Sequence, residues 1–238
     1  MYWLWCFLWG FIIAEMATLA TTLYLHRGST HRAIKFNPPI EFLFQVFLWL
    51  TTGINRREWV AVHLCHHAHA DEEGDPHSPL RKGFWRVQTL NAYYYWLAAR
   101  KPEVLHYGRH IKPVGFEKII SKIPGSGILG LIIGIGIACL VFGLKTGLIV
   151  AAIHTFLYVE FLQNLINGWC HVRGYKNFPN VVGFNNRAIA MITMGEGLHN
   201  NHHEKLGNAK FSVLTSEFDP GYFFVKFLVK RGWARFAL

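Results

Sequence analysis

MYWLWCFLWGFIIAEMATLATTLYL at residues 1–25, followed at once by HRGSTHR at residues 26–32, decides the fold. The first 25 residues hold no Lys or Arg and a single carboxylate, Glu15. A helix needs roughly 20 mostly apolar residues to cross a bilayer, so this run is long enough. It lacks the charged start of a signal peptide and exceeds the length of its apolar segment. Two histidines, His26 and His31, stand where the apolar run ends. The chain therefore reads as a membrane protein with a site at the membrane face.

Two further runs, about 127–144 and 147–166, are also long enough to span, with Lys145-Thr146 between them as a tight helical hairpin. Residues 40–54 form a shorter apolar stretch after Pro38-Pro39, the length of an interfacial or buried helix. The aromatic and basic tail from Tyr222 to Phe236 suits a membrane surface. Apolar residues make up 52% of the chain and charged residues 16%, against about 25% in soluble domains. The expected architecture is all-α: a helical integral membrane protein over residues 1–238, forming one domain. Its spans cover about 1–25, 127–144 and 147–166, and its cytosolic helical cap covers 26–125 and 171–238.

The net charge is +10, and its distribution carries the meaning. Fourteen Lys and Arg lie in residues 26–125 and nine in 171–238, with Lys145 the only other. Positively charged segments stay on the cytoplasmic side, so both cap regions are expected there, against anionic lipid. No recognition motif accompanies the charge, and nucleic acid is not an expected partner. Cys6, Cys65, Cys139 and Cys170 are scattered without a C-x-x-C pair and read as reduced thiols.

Eight of the fourteen histidines fall into three clusters: His26/His31, His63/His66/His67 and His199/His202/His203. Imidazole is the common protein ligand of first-row metals, and eight are too many for one ion and suited to two. Residues three and four apart share a helix face, so in each H-x2-HH cluster the first histidine meets both others. His26 and His31 are five apart, about 140° around an ideal helix, and converge only if the helix ends or bends near Gly28. Asn167 and His171, four apart at the end of the last span, add a ninth imidazole. Asn167 would act as a ligand through water or as a partner behind the ligands. His77 is placed to support the site from behind, whereas His69, His106 and His110 read as solvated or structural and His154 as a packed or hydrogen-bonded histidine.

Other metal chemistries fit less well. A zinc protease needs H-E-x-x-H, which is absent. Glu103/His106 and Glu196/His199 match the E-x-x-H of carboxylate di-iron bundles, but that reading leaves seven clustered histidines unused. A metal transporter would line a path through the spans, and here the histidines gather at one face.

The motifs HRGSTHR (26–32), REWVAVHLCHH (57–67), DPHSP (75–79), NGWCH (167–171) and GEGLHNNHH (195–203) resemble, in order and spacing, the integral-membrane acyl-CoA (stearoyl-CoA, delta-9 type) fatty acid desaturases. The likeness runs over nearly the whole chain, and the wording of the second and third boxes is closer to bacterial members. The resemblance implies two iron ions held by His26, His31, His63, His66, His67, His171, His199, His202 and His203, with Asn167 through a water. It implies a bent acyl tunnel in the cap, with Trp59 near the bend. It also implies O2-dependent insertion of a cis double bond, near carbon 9, into a saturated acyl thioester, in unsaturated fatty acid biosynthesis. The implied partners are a fatty acyl-CoA, acyl carrier protein thioester or lipid substrate, membrane lipid, and an external electron donor. That donor would be of ferredoxin, rubredoxin or cytochrome b5 type, with its reductase. The implied location is the bacterial inner membrane with the site facing the cytoplasm. All-imidazole ligation leaves the centre cationic and calls for no carboxylate. A membrane di-iron hydroxylase or alkane monooxygenase would share the same boxes and differ in product. Two features depart from the family pattern. One span precedes the first box where the family has two, and Leu64-Cys65 stand where many relatives carry an arginine that could serve a headgroup.

Overall fold

The computed structural model describes residues 1–237; Leu238, the last residue of the expected cap, lies outside the described residues. Among the described residues two helices are long and apolar enough to cross a membrane, α1 (Tyr2–Thr30) and α9 (Leu144–His171). Helix α8 (Ser126–Phe142) is apolar throughout but has 17 residues, about 25 Å at 1.5 Å per residue. The break between α8 and α9 falls at Gly143, whose φ of 82° favours glycine, and not at Lys145-Thr146, which lie in the first turn of α9.

The 40–54 stretch becomes α2 (Pro38–Thr52), started by the Asn37 side chain accepting from Ile40 N and ended by Gly53 in the left-handed region. It packs on α8 through a glycine stripe. A Cβ at Gly127, Gly130 or Gly134 would collide with the carbonyls of Gly53, Trp49 and Leu50 respectively. Small residues let membrane helices approach this closely. The Trp49 indole N–H donates to the Ser126 carbonyl at 2.7 Å and fixes the crossing. Helices α1, α2, α8 and α9 thus form one stem. Its outer surface exposes Trp3, Phe7, Ile132, Leu140, Phe156 and Phe161, as a lipid-facing surface would.

The rest is a mostly helical cap. The second box lies on α3 (Arg56–Ala68), capped by Asn55. Short helices α4 (Pro79–Lys82), α5 (Phe84–Ala98), α6 (Pro102–Tyr107) and α7 (Glu117–Ile120) follow before the stem resumes. After α9 come α10 (Arg187–Ile192), α11 (His199–Glu204), which carries the third box, and α12 (Pro220–Lys230). The only sheet among the described residues is a ribbon of β1 (Ile34–Phe36) antiparallel to β2 (Ala234–Phe236), pairing Lys35 with Arg235. It clips the C-terminal end of the chain beside the first box. The core beneath it includes Leu23, Tyr24, Leu25, Ile34, Val225 and Leu228.

Candidate metal centre

The first box is positioned by an unusual winding of α1. From Thr21 to Thr30 the helix is π-wound, and His31 N donates to the His26 carbonyl five residues back at 3.0 Å. That repeat stacks His31 one turn above His26, so both reach the same place without the break expected at Gly28.

The structure gathers nine histidines into two adjacent groups. His26, His31, His63, His67 and His202 form one, and His66, His171, His199 and His203 the other. Within each group the ring nitrogens lie within 4.8 Å of one another. Each H-x2-HH box divides between them, contrary to the expectation that its first histidine meets both others. The i,i+4 pair stays together and the third histidine crosses over. His66 leaves His63 and His67, and His202 leaves His199 and His203. The groups touch through His67 and His203, with ring centroids 4.6 Å apart.

The inward nitrogens have the spacing of a coordination shell. In the first group Nε2···Nε2 separations are 3.0 Å (His26–His202), 3.2 Å (His31–His63), 2.9 Å (His63–His67) and 3.1 Å (His67–His202). In the second they are 2.8 Å (His171–His199) and 3.1 Å (His199–His203), and His66 Nε2 is buried without a partner. Metal–nitrogen bonds of about 2.1 Å at right angles put neighbouring nitrogens about 3 Å apart.

Proton placement agrees. His26 Nδ1 lies 2.7 Å from Glu196, His66 Nδ1 3.0 Å from Asp75, and His171 Nδ1 2.9 Å from Asp71. Each carboxylate takes the Nδ1–H and leaves the Nε2 lone pair facing inward. Burial, and after it the neighbouring imidazoles, push His63, His67, His199, His202 and His203 well below the usual histidine range. His31 falls to about 2 for the same reasons. Lone pairs of imidazoles converging in a buried space are the donor set a metal cation takes, so the residues fit a metal centre.

The supporting carboxylates are what sequence reasoning missed. They are not needed as ligands, yet three stand behind the imidazoles. Glu196 was noted only as part of an E-x-x-H with His199, and its partner is His26. Burial works to raise the Asp75 carboxyl, and the hydrogen bond and charge of His66 outweigh it and hold it low. Asp71 had no local signal. Arg27 was legible only as a motif letter. It is fully buried, donates to both Asp219 oxygens at 2.9 and 3.1 Å and to the Ala209 carbonyl at 3.0 Å, and lies over the Phe211 ring.

The remaining residues fall around this centre. Trp59 stacks on His63 at 4.8 Å between centroids and 15° between planes. Asn167 faces a cavity of about 230 Å³ that His26, His63 and His199 also line. This cavity runs between the π-wound parts of α1 and α9, past Thr18, Thr22, Tyr158 and Ile166. His77 is buried beside His66 and lines the same cavity. His69 pairs with the Tyr107 hydroxyl at 3.0 Å, His106 and His110 are exposed, and His154 meets the Thr51 carbonyl at 2.8 Å.

Fold and site together define a helical membrane protein whose histidine boxes form a metal-binding centre beside an internal cavity. The family model described as fatty acid desaturase matches residues 2–205, and the chain belongs to that family. It is similar to the "Delta-9 desaturase-like 2 protein" of Arabidopsis thaliana, at 27% identity over 96% of this chain and 75% of that one. It is similar also to the "sn-1 stearoyl-lipid 9-desaturase" of Synechocystis sp., at 27% identity over 91% of this chain and 66% of that one. The "Acyl-CoA Delta(11) desaturase" of Trichoplusia ni is 26% identical over 95% of this chain and 66% of that one. The chain is thus a membrane-associated oxidoreductase of lipid metabolism that desaturates fatty acyl groups.

Proposed function

We propose that this chain introduces a cis double bond, near carbon 9, into a saturated fatty acyl thioester, using two iron ions and O2. The observation that carries the reading is the convergence of nine imidazole Nε2 atoms in a five-plus-four arrangement at the wall of a cavity between the two long helices. Bound iron would supply O2 activation with two external electrons, for an overall conversion of acyl chain, O2, two electrons and two protons to alkene and two waters.

The chain's own residues prepare for that chemistry. His26, His31, His63, His67 and His202 would hold one ion. His66, His171, His199 and His203 would hold the other, with Asn167 reaching it through a water from the cavity wall. Glu196, Asp75 and Asp71 fix the orientation of three of these rings through Nδ1. Trp59, stacked on His63, would press the acyl chain against the centre. A second cavity of about 570 Å³ carries Arg56, Arg57 and Arg100 against Glu58 and Glu117, an excess of positive charge suited to an anionic carrier such as CoA or acyl carrier protein. The electron donor is proposed to be an acidic protein of ferredoxin, rubredoxin or cytochrome b5 type with its reductase. The chain would lie in a bacterial inner membrane with the histidine centre toward the cytoplasm, as its basic cap favours.

The test is the fatty acid profile, by gas chromatography–mass spectrometry, of a host lacking its own desaturase and expressing this chain. A new cis-9 acid, lost with His202→Ala, is the expected result. A hydroxylated product would replace the reading with that of a monooxygenase.

A further inference from the structure

The two cavities adjoin, and Ile54 and Tyr95 line both. Ile54 offers only apolar surface, so Tyr95 is the polar side chain of this neck. Its hydroxyl is buried and has no hydrogen-bond partner among the described residues. An unpaired buried hydroxyl is destabilising by about 1–3 kcal/mol, so an unpartnered donor at a neck between two cavities marks a partner that arrives from outside. Burial raises the Tyr95 phenol far above its ordinary range, with Glu58 adding to the effect, so it remains a proton donor.

The order of surfaces along this path matches the order of groups in a fatty acyl ester. Arginines line the outer cavity, Tyr95 marks the neck, and histidines line the inner cavity. An acyl ester likewise runs from polar carrier to carbonyl to hydrocarbon. The carbonyl is the one hydrogen-bond acceptor at the head of the hydrocarbon, and it accepts from O–H and N–H donors.

Resting on the acyl-substrate reading above, we propose that the Tyr95 hydroxyl anchors the ester or thioester carbonyl of the substrate, by donating to it, at the neck between the two cavities. Tyr95 is then a positioning residue. By fixing the carbonyl it sets which methylene lies against the histidines, and so the position of the double bond.

The experiment is expression of wild type and Tyr95→Phe in the desaturase-deficient host. Membrane-inserted protein and iron content are measured alongside, and double-bond positions are read by mass spectrometry of dimethyl disulfide adducts. Wild type is expected to give one dominant positional isomer. Tyr95→Phe, which removes the hydroxyl and little else, is expected to spread product over neighbouring positions and to lower yield about 3- to 10-fold, the worth of one hydrogen bond. A single unchanged position in Tyr95→Phe, whatever its yield, overturns the proposal, because a packing role or an ordered water at the neck changes yield without changing register. If Tyr95→Phe does not reach the membrane, Tyr95→Leu is read by the same criterion. If wild type forms no new unsaturated acid, the acyl-substrate reading fails and this inference fails with it.

Discussion

The second and third boxes share the spacing H-x2-HH and are built in opposite ways. The second sits on α3, thirteen residues long, capped by Asn55 and buried on its inner face through Val60, Ala61, Val62 and Cys65. Regular helix geometry aims its histidines, and only His66 has a carboxylate, Asp75, at its Nδ1. The third sits on α11, six residues long, too short to stand by itself. It is held by side chains. The Asn200 amide donates to the Phe178 carbonyl at 3.0 Å. Asn201 donates to the Phe211 carbonyl at 2.9 Å and to Glu217 at 3.0 Å, and accepts from Asn185 at 2.8 Å. The two asparagines between its histidines are therefore anchors and not ligands. One metal-binding spacing is reached by helix propensity in one place and by a buried polar network in the other.

Five substitutions break or sharpen this contrast. The largest effect is expected where the boxes exchange histidines. His66→Ala and His202→Ala each remove the residue that crosses to the other group. Both should abolish desaturation while protein accumulates in the membrane, with iron per chain falling by about half or more in elemental analysis. Full activity in either variant would strike that residue from the ligand set.

Next comes Arg27→Met. It strands Asp219 in the interior, and losing one partner of a buried ion pair is destabilising by about 3–5 kcal/mol. Thermal unfolding in detergent should fall steeply, and an unchanged melting profile would show that the Arg27–Asp219 tie is not what holds the first box to the C-terminal region.

Asn201→Leu tests the polar network. It leaves the Phe211 carbonyl and the Asn185 amide without their partner, which should lower stability by about 1–3 kcal/mol and loosen iron binding. Retention of iron under a chelator equal to that of the wild type would contradict the anchoring role. The smallest effect belongs to Asn55→Ala. Loss of a helix N-cap is worth about 1 kcal/mol, and the long α3 should keep its iron. Iron loss from Asn55→Ala greater than from Asn201→Leu would reverse the comparison.

The sequence made the stem legible because apolar run length is a local property, and it made the histidines legible because clustering is one too. What it hid depends on contact across long separations. The pairing of Asp71 with His171 joins residues 100 apart, and that of Glu196 with His26 joins residues 170 apart. Neither has a local pattern to betray it. The division of each box was hidden for a different reason. Helical spacing places three histidines on one side of α3, but it does not say that two neighbouring groups compete for that side. The winding at His26–His31 has no local signature: an α-helix brings the two together only by ending or bending between them, whereas here the i+5 hydrogen bond of a π-wound turn does so. The role of α2 in the stem was also obscured, since 15 residues fall short of a span and only the glycine stripe of α8 brings them in.

The exchange of histidines between boxes has a consequence for biosynthesis. A chain that has emerged only as far as residue 170 has four of the five histidines of the first group and one of the four of the second. His202 closes the first group, and His171, His199 and His203 supply the rest of the second, all within the last third of the chain. Neither pocket is complete until translation has passed residue 202, and both are then completed by one six-residue segment. Metal loading would thereby wait for a chain made at least through residue 203. An abortive or nicked chain lacking that segment is left without a full pocket to hold a redox-active ion.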